Sequence, residues 1–270
     1  MNKDKLIQEF EAKIKEYQQD ISELTEDKRL ETLRDVRARV KSKPKAIKYL
    51  TGHRAIDQEM GGFSEGSFIN IAGVNFSGKT TLVLNVIENI ARHKKAVFFS
   101  FEMYENLLIQ NKLQDTSIDD NLIVVQNKYD LIQIEAIIRR KAEKGIKFFA
   151  IDSMMKIKTM SAKEDYQKAS LISSTLARLT QELGIIILLI NQIALSDIRN
   201  SRLEFKGSGD ISYDSDVSLF ITVDDKGNRE LHCKKDRINE RTWKTDITDR
   251  RYLKKEPAVT EYKTVEMPDI

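Results

Sequence analysis

The 270-residue sequence predicts an α/β fold, with a mostly parallel central sheet flanked by helices and an N-terminal helical arm in front of it. Three observations carry that prediction. Gly73-Val74-Asn75-Phe76-Ser77-Gly78-Lys79-Thr80 fits the pattern G-x-x-x-x-G-K-[ST]. It sits between an alternating apolar stretch, Ser67 to Ala72, and a run from Thr81 to His93 with Leu82, Val83, Val86, Ile87 and Ile90 at helical spacing. Two apolar runs, Ala96 to Met103 and Lys147 to Asp152, carry a carboxylate at or near their ends, Glu102 and Asp152. A third run, Ile185 to Ile190, is apolar throughout, as a parallel strand covered on both faces is.

Composition narrows the class. An apolar fraction of 40% is ample for a core, and 32% charged residues argue against general disorder. Ile185 to Ile190 is the longest apolar run and is far too short to span a bilayer. No signal-peptide pattern follows Met1, so the expectation is a cytoplasmic protein with no membrane partner. One cysteine, Cys233, excludes an intramolecular disulfide. With His53, His93 and His232 as the only histidines, a zinc site is not expected. The net charge of +3 is too small to argue for nucleic acid by itself.

Residues 1–43 read as the arm. Leu6, Phe10, Ile14, Tyr17, Ile21 and Leu24 form one apolar helical stripe. Thr25 is placed to cap a second helix carrying Leu30, Leu33, Val36 and Val40. The first helix is acidic and the second basic. A hairpin packed on its own domain and an arm that docks on a neighbouring subunit both fit this pattern. Lys41 to Lys45, with Pro44, reads as a linker into a core domain of residues 44–253.

Within the core, the glycines of Gly73 to Thr80 let successive N–H groups turn toward a phosphate, and a helix N-terminus adds partial positive charge. Lys79 would reach the β- and γ-phosphates and Thr80 would ligate Mg²⁺. Gly73, Val74, Asn75, Phe76, Ser77, Gly78, Lys79, Thr80 and Thr81 are therefore the candidate nucleotide-binding residues, with ATP as ligand. Glu102, at a strand end, is placed either to orient an attacking water or to start a helix. Asn121 to Val125 reads as a second strand at the sheet edge, and Leu131 to Lys144 as a helix. Asp152 fits the apolar-strand-plus-Asp pattern that holds Mg²⁺ beside Thr80.

Met154 to Tyr166 shows little periodicity and reads as a mobile loop. A helix from Leu171 to Leu183 ends at Gly184. Asn191-Gln192 closes the next strand, where an amide either senses a γ-phosphate or simply terminates the strand. Arg202 to Asp216 reads as polar and flexible. Val217 to Val223 and Glu230 to Lys234 read as a hairpin around Asp224 to Asn228, and Trp243 to Ile247 as one more strand. Residues 254–270 read as a frayed tail.

Taken together these stretches resemble the RecA-like P-loop NTPase motor domain of replicative hexameric DNA helicases, the DnaB family, from Thr51 to about Ile247. Thr51-Gly52 with Asp57 and Gly61-Gly62-Phe63 is similar to that family's leading segment. Phe98-Phe99-Ser100-Phe101-Glu102-Met103 is similar to its second-strand motif, and Ile190-Asn191-Gln192-Ile193 to its sensor strand. The resemblance implies that Glu102 is the catalytic carboxylate and Gln192 the sensor. It implies that Lys206, Gly207, Ser208 and Gly209 hold single-stranded DNA; Lys156, Lys158 and Lys163 are further candidate contacts that no family motif marks. It also implies that Lys235 and Arg237 enter the active site of the adjacent subunit. A homo-oligomeric ring, a hexamer, and a replication initiator or loader protein as partner follow from the same resemblance. The sequence departs from the family at Ser153, where a Tyr is usual, at Tyr104 and Asn111 after the carboxylate, and at Lys206-Gly207, where Arg-Glu is usual. An ATP-switched recombination mediator that binds single strands without unwinding them, or a regulatory ATPase of the same core, is the rival expectation.

Overall fold

A computed structural model describes residues 32–42, 47–159, 164–193, 205 and 210–248. The chain divides between Lys45 and Ala46 into two units. In the first, α1 (Leu33–Ser42) is exposed along most of its length and carries Arg39 and Lys41 in its last turn. Its cap is Thr32. Thr32 Oγ1 and N–H both donate to Asp35 Oδ2, and Asp35 N–H donates back to Thr32 Oγ1. The expected Thr25 cap and the first arm helix lie outside the described residues.

The second unit begins with a two-stranded ribbon, β1 (Lys48–Tyr49) and β2 (Phe63–Ser64), around α2 (Arg54–Met60). Asp57 explains the Thr51-Gly52 pair. Its Oδ1 accepts from Thr51 N–H and Oγ1, and its Oδ2 from Gly52 N–H. Asn89 of the following helix donates to Leu50 O, and it packs so close to Gly52 that a Cβ there would lie 2.5 Å from its side chain.

The main sheet has eight strands in the order β10-β9-β8-β3-β7-β6-β4-β5. They are β3 (Phe68–Gly73), β4 (Ala96–Ser100), β5 (Leu122–Val125), β6 (Phe148–Asp152), β7 (Ile186–Gln192), β8 (Val217–Val223), β9 (Arg229–Asp236) and β10 (Trp243–Asp246). Six strands from β8 to β5 run parallel, and β9 and β10 add antiparallel. β5 is at the edge, as expected. Alternate residues of each strand feed opposite faces. Ile69 and Ile71 of β3 pack with α3 (Lys79–Ala91), while Phe68 and Ala72 pack with α5 (Leu131–Ala142) and α6 (Asp165–Leu183). Gly184 ends α6 in the left-handed conformation, φ 56°.

Several expectations are corrected. α6 starts at Asp165, six residues earlier than its apolar stripe begins, because its first turns are polar and exposed. α4 (Glu105–Asn111) follows β4, and only Leu108 of it is buried. Met154–Lys156, within the stretch read as a mobile loop, makes a single 3-10 turn pinned by buried Met154. Asp210–Asp214, within the stretch read as flexible, is a short helix, α7, anchored by buried Ile211. No helix among the described residues is long and apolar enough to cross a membrane.

Candidate active site

The register brings the predicted chemistry to one edge. Gly73 is level with Gln192 of β7 and Ile221 of β8, and Ser100 of β4 is level with Asp152 of β6. Gly73, Glu102, Asp152 and Gln192 thus stand together at the C-terminal ends of parallel strands, where ligands bind in such sheets. A cleft of about 930 Å³ opens above them, lined by residues that include Asn75, Phe76, Gly78 to Thr81, Glu102, Asp152 and Gln192. Its size is that of a small-molecule site.

The loop is held open by glycine and by lysine. Gly78 has φ 105°, and a Cβ on Gly73 would lie 2.6 Å from Ser77 Oγ and 2.8 Å from Ile221 O. Phe76, at φ 63°, is exposed at the loop tip. Lys79 Nζ donates to Gly73 O at 2.9 Å and Val74 O at 2.7 Å, which closes the ammonium over the loop. Burial pushes Lys79 below the ordinary lysine value, against the charges of Asp152 and Glu102. The N–H groups of Gly78, Lys79, Thr80 and Thr81 find no acceptor among the described residues. Four donors at one helix N-terminus form an anion cradle.

Thr80 Oγ1 donates to Asp152 Oδ2 at 2.7 Å, while Asp152 Oδ1 is buried with no partner among the described residues. Burial raises the Asp152 carboxyl from 3.8 to about 6, and the hydrogen bond from Thr80 opposes that rise. A hydroxyl and a carboxylate with an orphaned oxygen are hard donors that fit Mg²⁺ arriving with nucleotide phosphates. Among the described residues no cluster of three or more His, Cys, Asp or Glu side chains could hold a metal ion.

Glu102 lies two residues past β4, and its Oε1 accepts from Ser153 Oγ. The serine that departs from the expected pattern therefore positions the carboxylate, a part that its place in the sequence does not signal. Gln192 lines the cleft, and its amide makes no hydrogen bond to the described residues. Its neighbour Asn191 points into the sheet. Asn191 Nδ2 donates to Asn70 Oδ1, Asn70 Nδ2 to Ser215 Oγ at 2.7 Å, and Ser215 Oγ to Ile211 O. A buried polar chain thus runs from β7 through β3 to α7.

Lys235 and Arg237 are not in the cleft of their own chain. Lys235 is level with Ser218, which is level with Asn70, three residues before Gly73, so it stands about 10 Å back along the strands. Lys235 Nζ donates to Ser212 O and Tyr213 O at the end of α7. Arg237 pairs with Asp216 at 3.0 Å and donates to Tyr213 O. Lys156 lines the cleft, whereas the backbone of Lys158 pairs with Tyr129 and Leu131 ahead of α5. Lys206, Gly207, Ser208 and Gly209 lie outside the described residues, as does Lys163.

Arg229 belongs to the site and no sequence pattern announces it. Its Nε donates to Ser77 O at 3.1 Å, and it lines the cleft. No local motif marks it, because the contact is made across 152 positions of chain.

Residues 49–122 and 109–252 match the family model of the DnaB-like helicase C-terminal domain. Replicative DNA helicase DnaB of Treponema pallidum is 26% identical over 259 residues, covering 77% of this chain and 58% of that protein. Replicative DNA helicase DnaB of Geobacillus stearothermophilus is 25% identical over 222 residues, covering 68% and 49%. The chain spans about half the length of these relatives. Among solved structures, a DnaB-like replicative helicase described with its interactions with primase superposes with a TM-score of 0.65 at 19% identity. The match covers 87% of this chain and 69% of that one, and it shows the shared RecA-like fold. The family match takes in the whole of the eight-stranded sheet and the cleft at its edge, and this chain belongs to the family of DnaB-like helicase C-terminal domains.

Proposed function

We propose that this protein is an ATP-hydrolysing motor that assembles as a hexameric ring and translocates on single-stranded DNA, a DnaB-like replicative helicase. The observation that carries the reading is where the candidate residues stand. The cleft gathers Lys79, Thr80, Asp152, Glu102 and Gln192, whereas Lys235 and Arg237 stand at the far end of β9. A second copy of the chain would bring that pair to a neighbour's cleft.

In this reading the anion cradle and Lys79 bind the phosphates, and Thr80 and Asp152 hold Mg²⁺. When bound, Mg²⁺ offsets charge that develops on the transferred phosphoryl. Glu102, aimed by Ser153, orients a water in line with the γ-phosphate and takes its proton. Lys235 and Arg237 of the next subunit stabilise the transition state, a contribution of about 10³–10⁵ in rate for such fingers. Gln192 reports the γ-phosphate state. The Asn191–Asn70–Ser215 chain ends on α7, next in sequence to the segment Lys206 to Gly209 proposed to hold DNA. Glycine-rich contacts read phosphates, so binding would be sequence-tolerant and fall with salt. Residues 1–43 serve as the oligomerisation arm, 44–253 as the motor and 254–270 as the tail, in a cytoplasmic protein served by a replication initiator or loader.

The test is ATPase with and without single-stranded DNA, together with strand separation on a forked duplex. DNA-stimulated turnover with unwinding is expected. An active ATPase that neither binds nor separates strands would sink the helicase reading.

A further inference from the structure

Arg229 is the first residue of β9, where its O accepts from Ile247 N–H at 2.8 Å, and further backbone and side-chain hydrogen bonds fix it there. Its N–H donates to Thr248 Oγ1 at 2.7 Å, and that hydroxyl returns to Arg229 O at 3.4 Å. Its Nη1 donates to Gly227 O at 3.2 Å and its Nε to Ser77 O at 3.1 Å. Nη2 has no partner among the described residues. Two carbonyls thus set the plane of a guanidinium that lines the cleft beside Gly78, Lys79 and Thr81. A cation already held in one orientation loses little further freedom when an anion arrives.

The contact with Ser77 also fixes the peptide that leads into the helix. Gly78 is the N-cap of α3, at a left-handed φ of 105°, so Ser77 lies before the helix and its carbonyl is turned away from the helical N–H groups. That carbonyl takes no bond from α3 here and accepts from Arg229 instead. The first backbone bond of α3 runs from Leu82 N–H to Gly78 O at 2.9 Å, and Thr81 N–H has no acceptor among the described residues. The Ser77 carbonyl and the Gly78 N–H belong to one trans peptide and point opposite ways. Fixing one fixes the other.

We propose that Arg229 is a positioning residue acting in cis: it pins the Ser77 carbonyl, and through the shared peptide aims the Gly78 N–H, beside the open Thr81 N–H, at a nucleoside di- or triphosphate, and it adds a fixed positive charge to the cleft wall. The proposal rests on the nucleotide reading above and extends it to a residue that no motif marks. Because Gly78 and Thr81 belong to the part of the loop that cradles the inner phosphates, Arg229 serves ADP and ATP alike. That separates it from Lys79, which reaches the outer phosphates.

The experiment compares Arg229→Met, Arg229→Lys and wild type in the full-length chain. Calorimetry measures binding of Mg·ADP and of a non-hydrolysable ATP analogue, steady-state kinetics measure turnover, and melting without nucleotide controls for folding. The Met variant is expected to lose about tenfold in affinity for both nucleotides, the size of a lost charge-assisted hydrogen bond. KM for ATP rises to match, kcat at saturation stays within about threefold, and lysine recovers part of the loss. A Met variant that binds both nucleotides as wild type does overturns the proposal. So does a loss confined to the ATP analogue, or one matched by a drop in nucleotide-free melting temperature and left unrescued by lysine. Wild type that binds neither nucleotide would instead remove the nucleotide reading itself, an outcome the comparison keeps distinct.

Discussion

Thr80 Oγ1 donates to Asp152 Oδ2 across 2.7 Å, and the other oxygen of that carboxylate is buried with nothing among the described residues to accept from. Function asks for a charge in a place where folding would rather have none. A carboxyl raised from 3.8 to about 6 by burial binds its proton more tightly in the folded chain than in the unfolded one. The nucleotide-free protein therefore has this group's stabilisation below pH 4 and loses it as pH rises through about 6. Asp152→Asn is expected to raise nucleotide-free stability at pH 8 by ~1–3 kcal/mol, to flatten the pH dependence between 4 and 6, and to lower turnover more than about a hundredfold. Thermal melts across that pH range, with ATPase assays beside them, check it. An Asn variant no more stable than wild type at pH 8 would show that the buried charge is better compensated than its geometry indicates.

Lys79→Ala removes the ammonium that bridges Gly73 O and Val74 O. Turnover should fall below detection. Retained ATPase in a purified Ala variant would remove the loop from the active site.

Glu102 and Ser153 should separate binding from chemistry. Glu102→Gln keeps Mg·ATP binding within a few-fold and lowers kcat by about 10²–10⁴. Ser153→Ala leaves the carboxylate in place but unaimed, so kcat falls about three- to tenfold with KM unchanged. Full steady-state curves for both variants give the split. A Ser153→Ala change in KM alone would assign that hydroxyl to binding instead.

Arg237→Ala should spare nucleotide binding and lower ATPase by about 10³ or more. Mixing it with Glu102→Gln restores some sites, because an intact cleft then meets an intact finger from the next subunit. Titrating one variant into the other and following ATPase tests the shared site. Strictly additive, unrescued activity across all ratios would leave the in-trans role without support.

Gly73→Ala places a Cβ against Ser77 Oγ and the Ile221 backbone. Because Ile221 O cannot turn aside, the expected cost is ~1–3 kcal/mol in stability with weakened nucleotide binding, read by melting and calorimetry.

Much of this site was legible because its parts are local. Gly73 to Thr80 is contiguous, and Glu102, Asp152 and Gln192 each follow a short apolar run that reads as a buried strand, with the resemblance choosing between the two readings open for Glu102 and Gln192. What escaped depends on register or on a carbonyl. Ser153 matters because β4 and β6 are neighbours, which no single run reveals. Arg229 acts on Ser77 through a backbone oxygen, an acceptor that every residue owns and that leaves no trace in composition. α7 escaped for a different reason: five residues with one buried isoleucine make too little apolar pattern to register as a helix. The start of α6 was misplaced because its first turns bury only Ala169, so the stripe begins after the helix does.

Lys235 and Arg237 are already occupied in the single chain, donating to the last carbonyls of α7 and to Asp216. In the proposed ring, a subunit that lends this pair to its neighbour must uncap its own short helix. Reaching across would cost three hydrogen bonds to Ser212 O and Tyr213 O and the Arg237–Asp216 ion pair. The same two side chains cannot hold the end of α7 and a neighbour's phosphate at once.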